Sequence, residues 1–96
     1  MNAARGEAEV MIEGRPVRLC LTLGALAEIE AALQAEGVGA LAERLRRMRA
    51  ADLEAVLTAL IGGGGAGPDA ARTLARACEP RVAAEAVARA FEAAAR

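Results

Sequence analysis

A change of hydrophobic period near residue 22 limits what this chain can fold into. Before it, apolar and polar side chains alternate. Ala8, Val10 and Ile12 interleave with Glu7, Glu9, Met11 and Glu13, and Val17, Leu19, Leu21 and Leu23 interleave with Arg18, Cys20 and Thr22. A period of two belongs to half-buried strands, whose successive side chains point to opposite faces. Gly14-Arg15-Pro16 separates the runs as a turn signal, so residues 7–23 read as a β-hairpin with one apolar face. Pro16 has no N–H and fits the first residue of the second strand. The acidic side of the first strand and Arg18 of the second belong outside. A lone hairpin is marginal in water, so the following segments must cover it.

After Thr22 the spacing becomes helical. Thr22 is a suitable N-cap, and Leu23, Leu26, Ile29 (or Glu30) and Leu33 recur at three- and four-residue intervals. Gly37 is placed as a left-handed stop. Gly24 weakens the first helix by about 1 kcal/mol against alanine, which points to a close packing contact there. Leu41, Leu45 and Met48 mark a short second helix whose other surface carries Glu43, Arg44, Arg46, Arg47 and Arg49. Asp52 opens a third, with Leu53, Val56, Leu57, Leu60 and Ile61 in one stripe. Five glycines in the six residues 62–67 then read as a flexible connector.

Pro68 suits the first turn of a fourth helix, in which Leu74 and Cys78 are the large apolar members. Pro80 turns Glu79 away from helical dihedrals. A fifth helix follows, with Val82, Ala86, Val87, Ala90 and Phe91. No alternating run returns, so a parallel sheet is excluded. The expectation is one α+β domain, an N-terminal β-hairpin followed by a small bundle of four to five short helices. Its parts are the hairpin (7–23), a helical core (24–61), a glycine-rich linker (62–68) and C-terminal helices (69–96).

Composition narrows function more than fold. At 96 residues there is room for a single core. Twelve basic residues, all arginine, face 13 acidic ones, and the two halves balance separately, so no general attraction to nucleic acid or anionic membrane follows. Mean hydropathy is +0.26, but the longest uncharged run, residues 55–68, is shorter than the roughly 20 apolar residues of a membrane span. Residues 1–7 lack the apolar stretch of a signal peptide, and a cytoplasmic location is expected.

The chain has no His, Lys, Tyr or Trp. The usual general base, the commonest metal ligand and the Schiff-base amine are therefore missing. Two cysteines cannot build a tetrahedral zinc site alone, and Cys20 and Cys78 are expected as reduced, small core residues. No enzyme activity, cofactor or metal is expected. Alanine supplies 27 residues and buries little area, each Å2 being worth about 25 cal/mol. The segment after Gly67 is thus expected to dock weakly, or against a partner.

Four motifs bear on chemistry. A phosphate-binding loop would need a strand before the glycines and Lys-Ser/Thr after them; a helix precedes and Pro68-Asp69 follows. Glu28 and Glu30 point to different sides of a helix and cannot form a catalytic pair, though Glu30 lies near the apolar stripe and could pair with Arg18 or Arg44. Arg44, Arg46, Arg47 and Arg49 form a basic face fit for a protein partner, or simply for solvent. No aromatic residue interleaves them for base stacking. On the last helix Val87 and Phe91 are either core or the anchor of an interface. The candidate protein-binding residues are Arg44, Arg46, Arg47, Arg49, Val87 and Phe91.

One resemblance sharpens this reading. Arg5-Gly6-Glu7 leads into the first strand, Glu13-Gly14-Arg15 makes the turn, and Leu21-Thr22-Leu23-Gly24-Ala25-Leu26-Ala27-Glu28-Ile29-Glu30 enters the helix. With Asp52-Leu53-Glu54-Ala55-Val56-Leu57 ahead of the glycines, this resembles the gene transfer agent family of small tail proteins. That family is related to phage tail assembly chaperones, and its members are sometimes labelled tail tube proteins. The resemblance implies a cytoplasmic helper of tail assembly without catalysis, which holds the tape-measure protein or unassembled tail tube subunits. Short amphipathic helices could cover the apolar faces of such a client. The helical C-terminal part departs from a tube subunit, which needs many strands to build a ring. The alternatives are a structural tail component retained in the particle and a small DNA-binding regulatory protein.

Overall fold

The computed structural model describes residues 7–47 and 49–95, without the side chains of Val38 and Ala42. Met48, expected on the apolar side of the second helix, and the Arg5-Gly6 lead-in to the first strand fall outside the described residues. Two strands, β1 (Glu7–Ile12) and β2 (Arg15–Cys20), are followed by five helices: α1 (Leu23–Leu33), α2 (Gly37–Arg46), α3 (Ala50–Gly63), α4 (Pro68–Ala77) and α5 (Pro80–Ala94). The expected hairpin-led α+β architecture is the observed one.

The strands pair antiparallel, with Ile12 opposite Arg15 and Met11 opposite Pro16. The turn is therefore Glu13-Gly14, one residue earlier than the Gly14-Arg15-Pro16 expected. Both turn residues have positive φ (51° and 79°), as a two-residue type I′ hairpin turn demands. Pro16 is the second residue of β2, and it is tolerated because its missing N–H faces away from β1. Ala8, Val10, Ile12 and Leu19 are buried. Leu23, expected on the same apolar side, is 84% exposed, because it has left the strand and begins α1.

Thr22 caps α1 as expected, its Oγ1 accepting the Ala25 N–H at 3.0 Å. The helix ends earlier than Gly37. Gln34 takes the left-handed position (φ 53°), and Ala35 N–H returns to the Glu30 carbonyl. Gly37 (φ 83°) instead starts α2, donating its N–H to Glu30 Oε2 at 2.7 Å. Glu30 thus serves a backbone amide and neither Arg18 nor Arg44. Gly24 is no packing point either, since a Cβ there would meet only Thr22 Oγ1 at 3.9 Å.

The centre of the fold is α3, which packs against β2, α1, α4 and α5. Val56, Leu57, Leu60 and Ile61 are all but inaccessible. The glycine run does not behave as a flexible connector. α3 continues through Gly63, and Gly65 (φ 117°) closes it: Gly65 N–H reaches Gly62 O and Ala66 N–H reaches Ile61 O. These are the two bonds of a Schellman motif. A Cβ on Gly63 would overlap the Cys20 carbonyl, and one on Gly64 the Arg18 carbonyl. Absence of side chains lets the end of the helix press against the strand backbone.

Residues after Gly67 also dock more closely than their few large side chains suggest. α4 lies on α3, and α5 lies across β1 and α3. Ala71, Ala75, Ala83, Ala86, Ala90 and Ala93 are buried with Val87. Small side chains shorten the distance between helix axes and so offset the modest area each one covers. Pro68 and Pro80 each occupy the first turn of their helices.

The contrast among the glycines is testable by urea unfolding. Gly63→Ala is expected to lower stability by about 1–3 kcal/mol, since overpacking forces backbone to move. Gly62→Ala meets open space and is expected to raise stability by up to about 1 kcal/mol.

Candidate protein-interaction surface

The arginine cluster divides once its geometry is known. Arg44 points inward. Its Nε donates to Asp52 Oδ2 at 2.9 Å and its Nη1 to the Leu33 carbonyl at 2.8 Å. One guanidinium thereby satisfies an orphan carbonyl at the end of α1 and the carboxylate in the first turn of α3. Asp52 is only 6% exposed, so its role exceeds the helix-start charge expected of it. Arg44, expected among the partner-binding residues, is instead a structural bridge whose donors are committed to Asp52 and Leu33.

Arg46, Arg47 and Arg49 remain exposed around the α2–α3 turn. Arg46 pairs with Glu43 at 3.1 Å, with both side chains largely solvated, an arrangement that contributes little to stability. Arg47 and Arg49 form no ion pair among the described residues. Arg49 is the N-cap of α3 and gives it no side-chain hydrogen bond. A cation at the positive end of a helix, in a position suited to Ser, Asp or Asn, opposes local preference.

The candidates on the last helix lie elsewhere. Val87 is 3% exposed and belongs to the core, which removes it as a contact residue. Phe91 is half-buried against that core. The six candidates therefore do not form one site: three share an exposed turn, and the others hold the fold together. Periodicity could not separate Arg44 from its neighbours, because only the position of Asp52 does so.

Depressions also mark the surface. An open groove of about 390 Å3 between α1, α3 and α4 is lined by Thr22, Glu28, Thr58, Gly62, Pro68 and Arg72 among others. A second, of about 300 Å3, lies where α3, α4 and α5 meet and includes Leu53, Leu57, Arg76 and Cys78. Cys78 is a free thiol, and both cysteines are half-buried rather than fully in the core. Burial pushes the Cys78 thiol up, with the Glu79 charge adding to it, so at neutral pH the sulfur keeps its proton and is a poor nucleophile. Among the described residues no group of three His, Cys, Asp or Glu could hold a metal ion. No helix there is long and apolar enough to cross a membrane.

These features define a hairpin-led helical domain with a basic turn and no evident reactive cluster among the described residues. A family model described as "Phage tail tube protein, GTA-gp10" matches residues 5–95, and the chain belongs to that family of gene transfer agent and phage tail proteins. Its role is accordingly tail-related. No curated protein and no solved structure gives a significant match.

The division of the arginines has a thermodynamic signature. Arg44→Ala leaves Asp52 buried without its partner and is expected to cost about 1–3 kcal/mol. Arg46→Ala is expected to stay within about 0.5 kcal/mol of the parent. Thermal or urea melts at one pH separate the two.

Proposed function

We propose that this protein is a non-enzymatic tail assembly chaperone that acts in the cytoplasm and binds the tape-measure protein or unassembled tail tube subunits while the tail is built. The observation that carries this reading is architectural. The described residues hold a single two-stranded sheet under helices, whereas a tube subunit closes a ring through extended sheet. A small tail-family domain without ring-forming strands fits a transient helper better than the tube wall. The exposed Arg46, Arg47 and Arg49 supply the contact, meeting acidic residues on the client and steering encounter. Arg49 supports this assignment because it holds a position where a capping residue would be more stable. Such conflicts with local preference concentrate at functional sites.

The family description keeps a second reading alive, a structural component retained in the finished particle. Mass spectrometry of purified particles decides between them: the chaperone is expected to be absent or scarce, and a structural component present at fixed stoichiometry. Co-purification of the full chain with the tape-measure or tube protein tests the binding itself.

Arg49→Asp gives the sharpest expectation. Stability should rise by about 1 kcal/mol through the new cap, while client affinity falls by about ten-fold. Should affinity stay unchanged in that variant and in the Arg46→Glu, Arg47→Glu pair, the basic turn is not the contact.

A further inference from the structure

The hairpin has two outer edges, and the fold treats them differently. Pro16 determines which backbone groups each edge presents. It has no N–H to give, so Met11 and Pro16 cannot exchange a pair of ladder hydrogen bonds. Antiparallel pairing alternates, which makes Glu9 and Arg18 another non-exchanging pair. The N–H and C=O groups of these residues therefore point away from the neighbouring strand. On β2 the outward carbonyls of Arg18 and Cys20 are covered by Gly63 and Gly64. On β1 the outward groups belong to Glu7, Glu9 and Met11, and the last two residues are exposed. The Glu9 carbonyl accepts a hydrogen bond from Arg89 Nη2 at 2.8 Å.

Open edges are commonly blocked by a proline, a bulge or a covering loop. Here α5 packs against β1, and what it sends to the edge is one flexible, exposed side chain, so the edge has already selected a guanidinium. We infer that the outer edge of β1 accepts an extended segment of a partner chain as a third strand, a basic residue of that segment replacing Arg89 and lying beside the Glu9 carboxylate. Backbone hydrogen bonds supply the affinity of strand addition, and alternate side chains its selectivity. A second copy of this chain is the poorer occupant, because antiparallel β1–β1 pairing would set Glu7 and Glu9 of one copy near those of the other, and like charges opposed across strands destabilise the pair. Met11, 53% exposed, offers the adjacent apolar contact. This inference is independent of the basic turn and holds whether or not the protein leaves the finished particle.

The test titrates the isotope-labelled full chain with a capped hexapeptide alternating arginine and valine. A hexapeptide alternating glutamate and valine is the control. Expected are NMR shifts and slowed amide exchange centred on Glu9 and Met11, with the acidic peptide at least about ten-fold weaker. Arg89→Ala should bind as well or better. Met11→Pro removes the outward N–H without touching the bonds to β2, and should abolish binding while the spectrum shows an intact fold. If that variant does not fold, N-methylation of the basic peptide on alternate residues removes the same hydrogen bonds from the ligand side, and should abolish binding by the parent chain. Absence of binding, equal binding of the two peptides, insensitivity to N-methylation, or shifts centred on the α2–α3 turn would overturn the inference. A chain that captures its tail client yet ignores the peptide refutes the edge alone and leaves the assembly reading standing.

Discussion

Backbone contact between the end of α3 and the outer edge of β2 is the constraint from which the rest of this structure follows. Gly63 and Gly64 lie where any side chain would collide with the carbonyls of Cys20 and Arg18. Two elements that meet at that distance have little freedom to slide or rotate. The hairpin is thereby fixed over the axis of α3, with Val10, Ile12 and Leu19 directed into the same core as Leu57, Leu60 and Ile61. The helices around α3 then need only small side chains to close the remaining space. An alanine-rich composition, unpromising for burying area, suits a core whose elements approach closely.

A second constraint is polar. Arg44 joins the end of α1 to the start of α3 and is the main tie of α2 beyond Leu41, the fully buried leucine of that helix. A buried carboxylate and an orphan helix carbonyl are answered by one planar group with several donors, which a lysine could not reproduce. Because this one arginine is held, its neighbours on the turn are free to face outward. One short stretch of chain thus contributes both to stability, through Arg44, and to positive surface charge, through Arg46, Arg47 and Arg49.

Much of this was legible in the sequence, and the limits have physical causes. The alternation of Ala8, Val10 and Ile12, the cap at Thr22 and the stripe from Leu53 to Ile61 are periodic or chemical signals, and each identified its element. In sequence the glycine run reads as slack, because a missing side chain is equally compatible with freedom and with tight contact; the strand placed beside Gly63 distinguishes them. Gly37 reads as a stop for the same reason, whereas Gln34 accepts the left-handed position and Gly37 opens the next helix. The identity of Arg44 as a bridge depends on a partner eight residues away on another helix, which no helical spacing encodes. Val87 could not be separated from an interface residue, since a buried and a partner-facing valine occupy the same stripe.

The placement of α5 bears on how the molecule is made. The last helix covers the first strand, and Arg89 bonds to the carbonyl of Glu9 across 80 positions of chain. During synthesis the hairpin leaves the ribosome before its cover does, so Ala8, Val10 and Ile12 stay partly wet until α5 has emerged. Loop closure over that span is entropically the slowest contact in the fold. The nascent protein therefore passes through a stage at which its own apolar strand is open to whatever else is being translated nearby.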